Sequence, residues 1–216
     1  MLICFVKQLI SKTNKSFICI SNMHLYSRCF IVLAFLFSCK GPEPTYVITG
    51  KGDTLPVTPQ KDLPLPPTDA NGHYTTIQTG QTTPDELISF AISLTGVPYK
   101  YGSTDPQQGF DCSGFITYVF NHFGIQVPRT SVDFTYVNRE ISLQDAKTGD
   151  LVLFTGTDST IRVVGHMGII IARTGQPLTF IHSTSGKAMG VTETPLNTYY
   201  MGRYVKTIRV FAANDR

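Results

Sequence analysis

Beyond residue 40 the chain has a single cysteine, Cys112; Cys4, Cys19, Cys29 and Cys39 all precede it. An internal disulfide framework is therefore excluded for the body of the protein. No apolar run approaches the 18 or so residues that a membrane-spanning helix needs, so such a helix is excluded. Charge of one sign is also scarce. Four of the 18 basic residues (Lys7, Lys12, Lys15, Arg28) fall within residues 1–38, which hold no acid, leaving fourteen basic against fifteen acidic side chains in the rest. The concentrated positive charge of a nucleic-acid binder is missing, and no nucleic-acid partner is expected. Metal spacings are missing too: neither H-E-x-x-H nor H-x-H occurs, so zinc is not expected, and no cofactor is implied. With 15% charged and 42% hydrophobic residues, the chain has the apolar content for a core.

The N-terminal region reads as a leader. Arg28 is followed by the apolar run Cys29-Phe30-Ile31-Val32-Leu33-Ala34-Phe35-Leu36-Phe37, then Ser38-Cys39, the length and flanks of a secretory signal. It resembles a bacterial lipoprotein signal, with Leu36-Phe37-Ser38-Cys39 in the place of the lipobox. That resemblance implies a signal peptide over 1–38 and a lipid on Cys39, the first residue of the mature chain. Met23 offers a simpler start, since Met23 to Cys39 is a complete signal by itself. Lys40–Thr82 holds seven of the thirteen prolines, including Leu63-Pro64-Leu65-Pro66-Pro67. Such a run favours extended polyproline structure, so 39–82 is expected to be a lipidated cysteine followed by a disordered tether.

From Thr83 the pattern changes to that of a folded body, 83–216. Thr83-Pro84-Asp85-Glu86 reads as an N-cap, a proline at N1 and a capping-box glutamate at N3. Leu87, Ile88, Phe90, Ala91 and Leu94 follow at helical spacing, up to Gly96. A second helix is predicted from Cys112, with Phe115, Ile116, Val119, Phe120 and Phe123 on one face and Gly124 at its end. Then the period shifts to strands: Asp150–Phe154, His166–Ala172, Leu178–Thr184 and Arg203–Phe211 are rich in Val, Ile and Phe. Two helices followed by about four to six antiparallel strands make an α+β fold.

Cys112 needs an explanation. On its own a free cysteine is often a small buried apolar residue. At a helix N-terminus, however, unpaired N–H groups and the dipole favour thiolate and can lower the thiol pKa. A thiolate nucleophile needs a base, and the base needs an orienting group. His122 lies ten residues along the same helix, about 280° around it, and faces elsewhere. His166 opens one strand and His182 closes the next, across the turn Arg173-Thr174-Gly175-Gln176-Pro177. If Ala172 pairs with Leu178, His166 falls opposite Thr184, and the two histidines share a face as diagonal neighbours. A slip of one residue would separate them.

At this point the residues carry a resemblance. Phe110-Asp111-Cys112-Ser113-Gly114-Phe115, Thr148-Gly149-Asp150-Leu151, Gly165-His166-Met167-Gly168 and Phe180-Ile181-His182-Ser183, preceded by Gly96-Val97-Pro98-Tyr99-Lys100-Tyr101-Gly102, resemble the NlpC-type cell-wall cysteine peptidases over about 83–212. The resemblance implies a papain-like core, with N-terminal helices packed on an antiparallel sheet. It implies Cys112 as nucleophile, His166 as general base and His182 as the orienting residue. It also implies the Tyr99 hydroxyl beside the reacting carbonyl, and Asp111, Ser113 and Ser131 in the pocket that receives the substrate peptide. The activity implied is murein endopeptidase: hydrolysis of stem or cross-link bonds of peptidoglycan near D-glutamate or diaminopimelate. Ser103 stands where the family often has a second glycine. Arg129 is read either as a clamp for a substrate carboxylate or as a structural ion pair with a nearby aspartate. With the leader, the implied place is the cell envelope, lipid-anchored on the periplasm-facing side of a Gram-negative outer membrane. The alternatives are a non-catalytic wall-binding lipoprotein, or an amidase or acyltransferase of the same fold.

Overall fold

The computed structural model of the chain describes residues 45–48, 54–57 and 65–216. The leader expected over 1–38, the Met23 start and the lipid on Cys39 lie outside the described residues. Within the expected tether, β1 (Thr45–Ile48) and β2 (Thr54–Val57) pair antiparallel. The packed body also begins before Thr83. Ile77 is 6% exposed and belongs to the main core, and the Asn138 N–H donates to the Thr75 carbonyl at 2.9 Å. Asp69 closes the loop ahead of it by accepting from the Asn71 and His73 N–H groups, and the His73 ring stacks on Tyr136 with centroids 3.7 Å apart. The proline-rich reading misses this segment because one buried apolar residue, not a periodic pattern, ties it down.

The first helix, α1 (Pro84–Ser93), starts as its sequence dictates. Thr83 Oγ1 accepts from the Glu86 N–H, and the Glu86 carboxylate accepts from the Thr83 N–H at 2.8 Å. Two orphan donors of the first turn are thereby satisfied. A short ribbon follows, β3 (Thr104–Asp105) with β4 (Gly109–Phe110), and leads into α2 (Cys112–His122). Asp111 caps α2 by accepting from the Gly114 N–H at 2.5 Å. Phe115, Ile116, Val119 and Phe120 are fully buried, at about 1.5–3 kcal/mol for each side chain removed from water. His122 stacks on Phe90 at 3.7 Å, at the edge of the core.

The remaining strands are β5 (Glu140–Ile141), β6 (Leu151–Thr155), β7 (Val164–Ile171), β8 (Thr179–Thr184), β9 (Gly190–Pro195) and β10 (Tyr204–Ile208), with α3 (Thr198–Arg203) before the last. They form one antiparallel sheet in the order β5-β10-β6-β7-β8-β9. The fold is α+β. One face of the sheet packs under α1 and α2, with Leu153, Met167, Ile169 and Ile181 in the main core. On the other face Val152, Phe154, Ile170 and Phe180 pack with Tyr200 of α3. Cover on both faces explains why β6 is an unbroken apolar run rather than an alternating one. The strand β9 and the helix α3 were not among the expected elements. As an edge strand β9 buries Val191 with little other apolar content, so its sequence lacks the period-2 signal.

Candidate active site

Four features bring the predicted residues together. The segment 96–100 is threaded between β9 and β4: the Tyr99 N–H donates to the Met189 carbonyl and the Phe110 N–H to the Pro98 carbonyl, both at 2.9 Å. This sets Tyr99 beside the start of α2. Ser183, fully buried on β8, donates to the Phe110 carbonyl at 2.7 Å and ties that start to the histidine-bearing strands. Gly114 must be glycine, because a Cβ there would overlap the Ser103 carbonyl oxygen; Ser103 in turn accepts from the Asp111 N–H at 3.1 Å.

The fourth feature is a β-bulge. Phe154 pairs with His166 but Thr155 pairs with Val164, so Gly165 is the extra residue. Bulges re-aim neighbouring side chains and are frequent beside active sites. Here the bulge turns the Gly165 carbonyl toward Cys112, whose Sγ lies 3.9 Å from it. Glycine is required at this position, since a Cβ would come within 2.9 Å of the Gly156 Cα and N.

The strands β7 and β8 pair as Ile169 with Ile181 and Ile171 with Thr179, the register expected from the turn. His166 and His182 consequently share a face, and His166 Nε2 lies 2.7 Å from His182 Nδ1. His182 Nε2 lies 2.9 Å from Thr194 Oγ1 on β9. His166 Nδ1 has no hydrogen-bond partner among the described residues. Two neutral tautomer sets satisfy these contacts, and the one that leaves His166 Nδ1 free to accept a proton has His166 Nε2–H donating to His182 Nδ1 and His182 Nε2–H donating to the Thr194 hydroxyl. Thr194 has no signal in the sequence, lying in a polar edge strand.

The electrostatics oppose charge on every member. Burial, then the charges of His182 and Arg203, holds His166 well below the ordinary imidazole range. Burial, then Arg203, lowers His182 to about 3. Both imidazoles are neutral at pH 7. For Cys112 the expected lowering is overturned: burial and then the Asp111 carboxylate push its thiol up, against the N–H groups of Ser113 and Cys112 and the charge of Arg129, which pull it down. Helix-terminal donors are present as expected, but desolvation and a carboxylate one residue away outweigh them. The Tyr99 hydroxyl is likewise held protonated, by burial first and then by Cys112 and Asp111.

In front of the thiol lies a cleft of about 530 Å³ lined by Tyr99, Tyr101, Asp111, Cys112, Ser113, Arg129, Ser131 and Gly165. A larger open groove of about 820 Å³ lies along Glu140, Ser142, Met201 and Tyr204 and is lined by neither cysteine nor histidine. The carboxylate of Asp111 is already engaged: besides capping α2, it accepts from Arg129 Nη2 at 2.8 Å and from Ser113 Oγ at 3.2 Å. Arg129 Nη1 also donates to Ser113 Oγ at 3.0 Å. Arg129 is thus in the ion pair that the sequence left as one of two readings. Asp150 is fully buried, accepting from the Lys147 N–H and pairing with Arg209 at 3.2 Å, away from the cleft.

Known proteins are similar to this chain in sequence and in fold. The chain is 33% identical over 136 residues to the gamma-DL-glutamyl hydrolase of Bacillus subtilis, covering 63% of this chain and 32% of that protein. It is 32% identical over 126 residues to a probable endopeptidase, an NlpC homologue, of Haemophilus influenzae, covering 57% of this chain and 61% of that one. It therefore spans about a third to three-fifths of the length of these relatives. A solved NlpC/P60 family protein from Bacillus cereus has the same fold, with a TM-score of 0.55 at 24% identity over 76% of this chain and 62% of that one. The NlpC/P60 family model matches residues 96–210, just over half of the 216 residues and all of the cleft. The chain belongs to the NlpC/P60 family.

Proposed function

We propose that the protein is a cell-wall cysteine endopeptidase that hydrolyses peptide-stem or cross-link bonds of peptidoglycan next to D-glutamate or diaminopimelate. The observation that carries this reading is the alignment of a cleft-facing thiol, a bulge carbonyl and a bonded His166–His182–Thr194 chain that leaves one imidazole nitrogen open.

The chemistry follows from the charges. With the thiol and the imidazole both neutral, and the thiol against the carbonyl of the residue before His166, His166 acts as a general base that takes the Cys112 proton as Sγ attacks the scissile carbonyl. The developing oxyanion is met by N–H groups at the start of α2 and by the Tyr99 hydroxyl, which stays protonated and so can donate. His166 then gives its proton to the leaving amine. A water, deprotonated by His166, releases the acyl group from sulfur. His182 fixes the tautomer of His166, and Thr194 fixes that of His182. Asp111, Ser113 and Ser131 line the side of the cleft that receives the stem peptide.

The leader extends the proposal to location. A lipid on Cys39 and a tether would hold the body at the periplasmic face of an outer membrane. Two readouts test this reading. Isolated peptidoglycan treated with the full chain should gain new amino termini and no new reducing sugar ends; new reducing ends alone would point to a glycosidase instead. Cys39→Ala should move the protein out of the detergent phase on partitioning, and an unchanged distribution would refute the lipid.

A further inference from the structure

Arg203, the last residue of α3, is 7% exposed, yet no ion pair among the described residues includes it. A buried guanidinium without a carboxylate is costly and survives only where its nitrogens find acceptors. Here Nη2 donates to the Thr155 carbonyl, Nε to the Gly156 carbonyl and Nη1 to the Tyr199 hydroxyl, each at 2.8 Å. The charge lies over the Tyr199 and Tyr200 rings, 5.0 and 5.7 Å from their centroids.

The two carbonyls are not arbitrary. Thr155 is the β6 residue at which the pairing with β7 shifts, and Gly156 is the backbone against which Gly165 packs. Gly165 in turn sits against the Cys112 thiol and directly precedes His166. The Tyr200 ring, which Arg203 covers, touches both imidazoles, with centroids 6.2 Å from His166 and 5.6 Å from His182. We propose that Arg203 is a positioning residue for the Cys112–His166 pair: it clamps the end of β6 across from the Gly165 bulge and sets an uncompensated positive charge beside the two imidazoles.

The inference rests on the cysteine-peptidase reading of the site. The titratable and charged groups around the two imidazoles are Tyr200 and Arg203 on α3 and each histidine to the other, while Tyr99, Asp111 and Arg129 act on the Cys112 thiol. From β9 the neighbour is Thr194 and from β6 it is Phe154, neither of which titrates. The nearby acids serve other cations, Asp111 pairing with Arg129 and Glu193 with Arg173. Among the described residues Arg203 is thus the fixed charge that acts on both imidazoles, reaching them across the Tyr200 ring, and it disfavours their imidazolium forms.

Two substitutions in the full chain separate its two effects. Arg203→Gln keeps hydrogen-bond donors and removes the charge; Arg203→Lys keeps the charge and removes the fork. In Arg203→Gln the acid limb of kcat/KM should move up by about one pH unit, the scale of one charge several ångströms away in a partly buried setting. In Arg203→Lys that limb should stay in place while kcat falls about tenfold with KM unchanged, because a displaced bulge misplaces the thiol and base. NMR titration of the histidine side chains, which does not depend on turnover, should show the same upward move in Arg203→Gln and none in Arg203→Lys. Unmoved histidines in Arg203→Gln, or identical moves in both variants, would overturn the charge half. Full kcat in Arg203→Lys would overturn the clamp, and this variant decides the matter if Arg203→Gln does not fold. Histidines that shift as stated in a protein whose Cys112→Ala form still cuts wall would leave the charge half standing and refute the nucleophile, and with it the clamp's role in positioning one.

Discussion

Replacing Thr194 with valine tests the proton chain without touching the cleft. Valine matches threonine in shape and removes only the hydroxyl that lies 2.9 Å from His182 Nε2 and accepts from it in the proposed proton chain. His182 is fully buried, and a buried donor left without an acceptor costs about 1–3 kcal/mol. Thr194 itself is only half-buried, so water recovers part of this, leaving about 1–2 kcal/mol, or about 5–30-fold. His182 can regain an acceptor only by moving its proton to Nδ1. That proton would then face the Nε2–H of His166, donor against donor across 2.7 Å. His166 would have to carry its proton on Nδ1 and could no longer accept one from the thiol. The loss should therefore fall on kcat, with KM unchanged, because Thr194 is not part of the cleft lining. Steady-state hydrolysis of a defined stem peptide, with thermal unfolding alongside, measures both. Thr194→Ser should restore most of the rate. Full kcat in Thr194→Val, or a serine variant as slow as the valine one, would refute the relay.

Two further outcomes follow from the same geometry. Gly165→Ala should fold but lose most activity, because its Cβ would meet the Gly156 backbone at 2.9 Å and push the bulge, and with it His166, off Cys112; wild-type turnover in that variant would show that the bulge is incidental. Stability should fall as pH drops below about 6.5, the ordinary imidazole value. His166 and His182 are held below it in the folded protein, so between pH 6.5 and 5 the unfolded chain binds protons that the folded chain refuses. Urea unfolding at pH 7, 6 and 5 checks the sign, and an unchanged midpoint across that window would contradict it.

Local signals were legible in the sequence and tertiary ones were not. The start of α1 could be read from Thr83-Pro84-Asp85-Glu86 because a capping box is closed within four residues. The shared face of His166 and His182 could be read because a short turn fixes the register of the strands it joins. Thr194 could not, since nothing in a polar edge strand marks one hydroxyl among Thr192, Glu193 and Thr194. The direction of the thiol shift was read with the wrong sign: the helix terminus is visible in sequence, whereas burial of Cys112 exists only after folding. Arg203 was read as the start of a strand, and its buried, acid-free setting depends on α3 and on the bulge in β7. The Pro-rich composition ahead of Thr83 concealed Ile77, whose partners lie in the body.

The central claim is that the Cys112 sulfur performs the cleavage. Isolated peptidoglycan should be digested with the full chain, wild type beside Cys112→Ala, and the soluble products weighed by mass spectrometry. Wild type should release stem-peptide fragments whose masses identify the bond, and a correctly folded Cys112→Ala should release none. The same fragments from Cys112→Ala, at a comparable rate, would contradict the account.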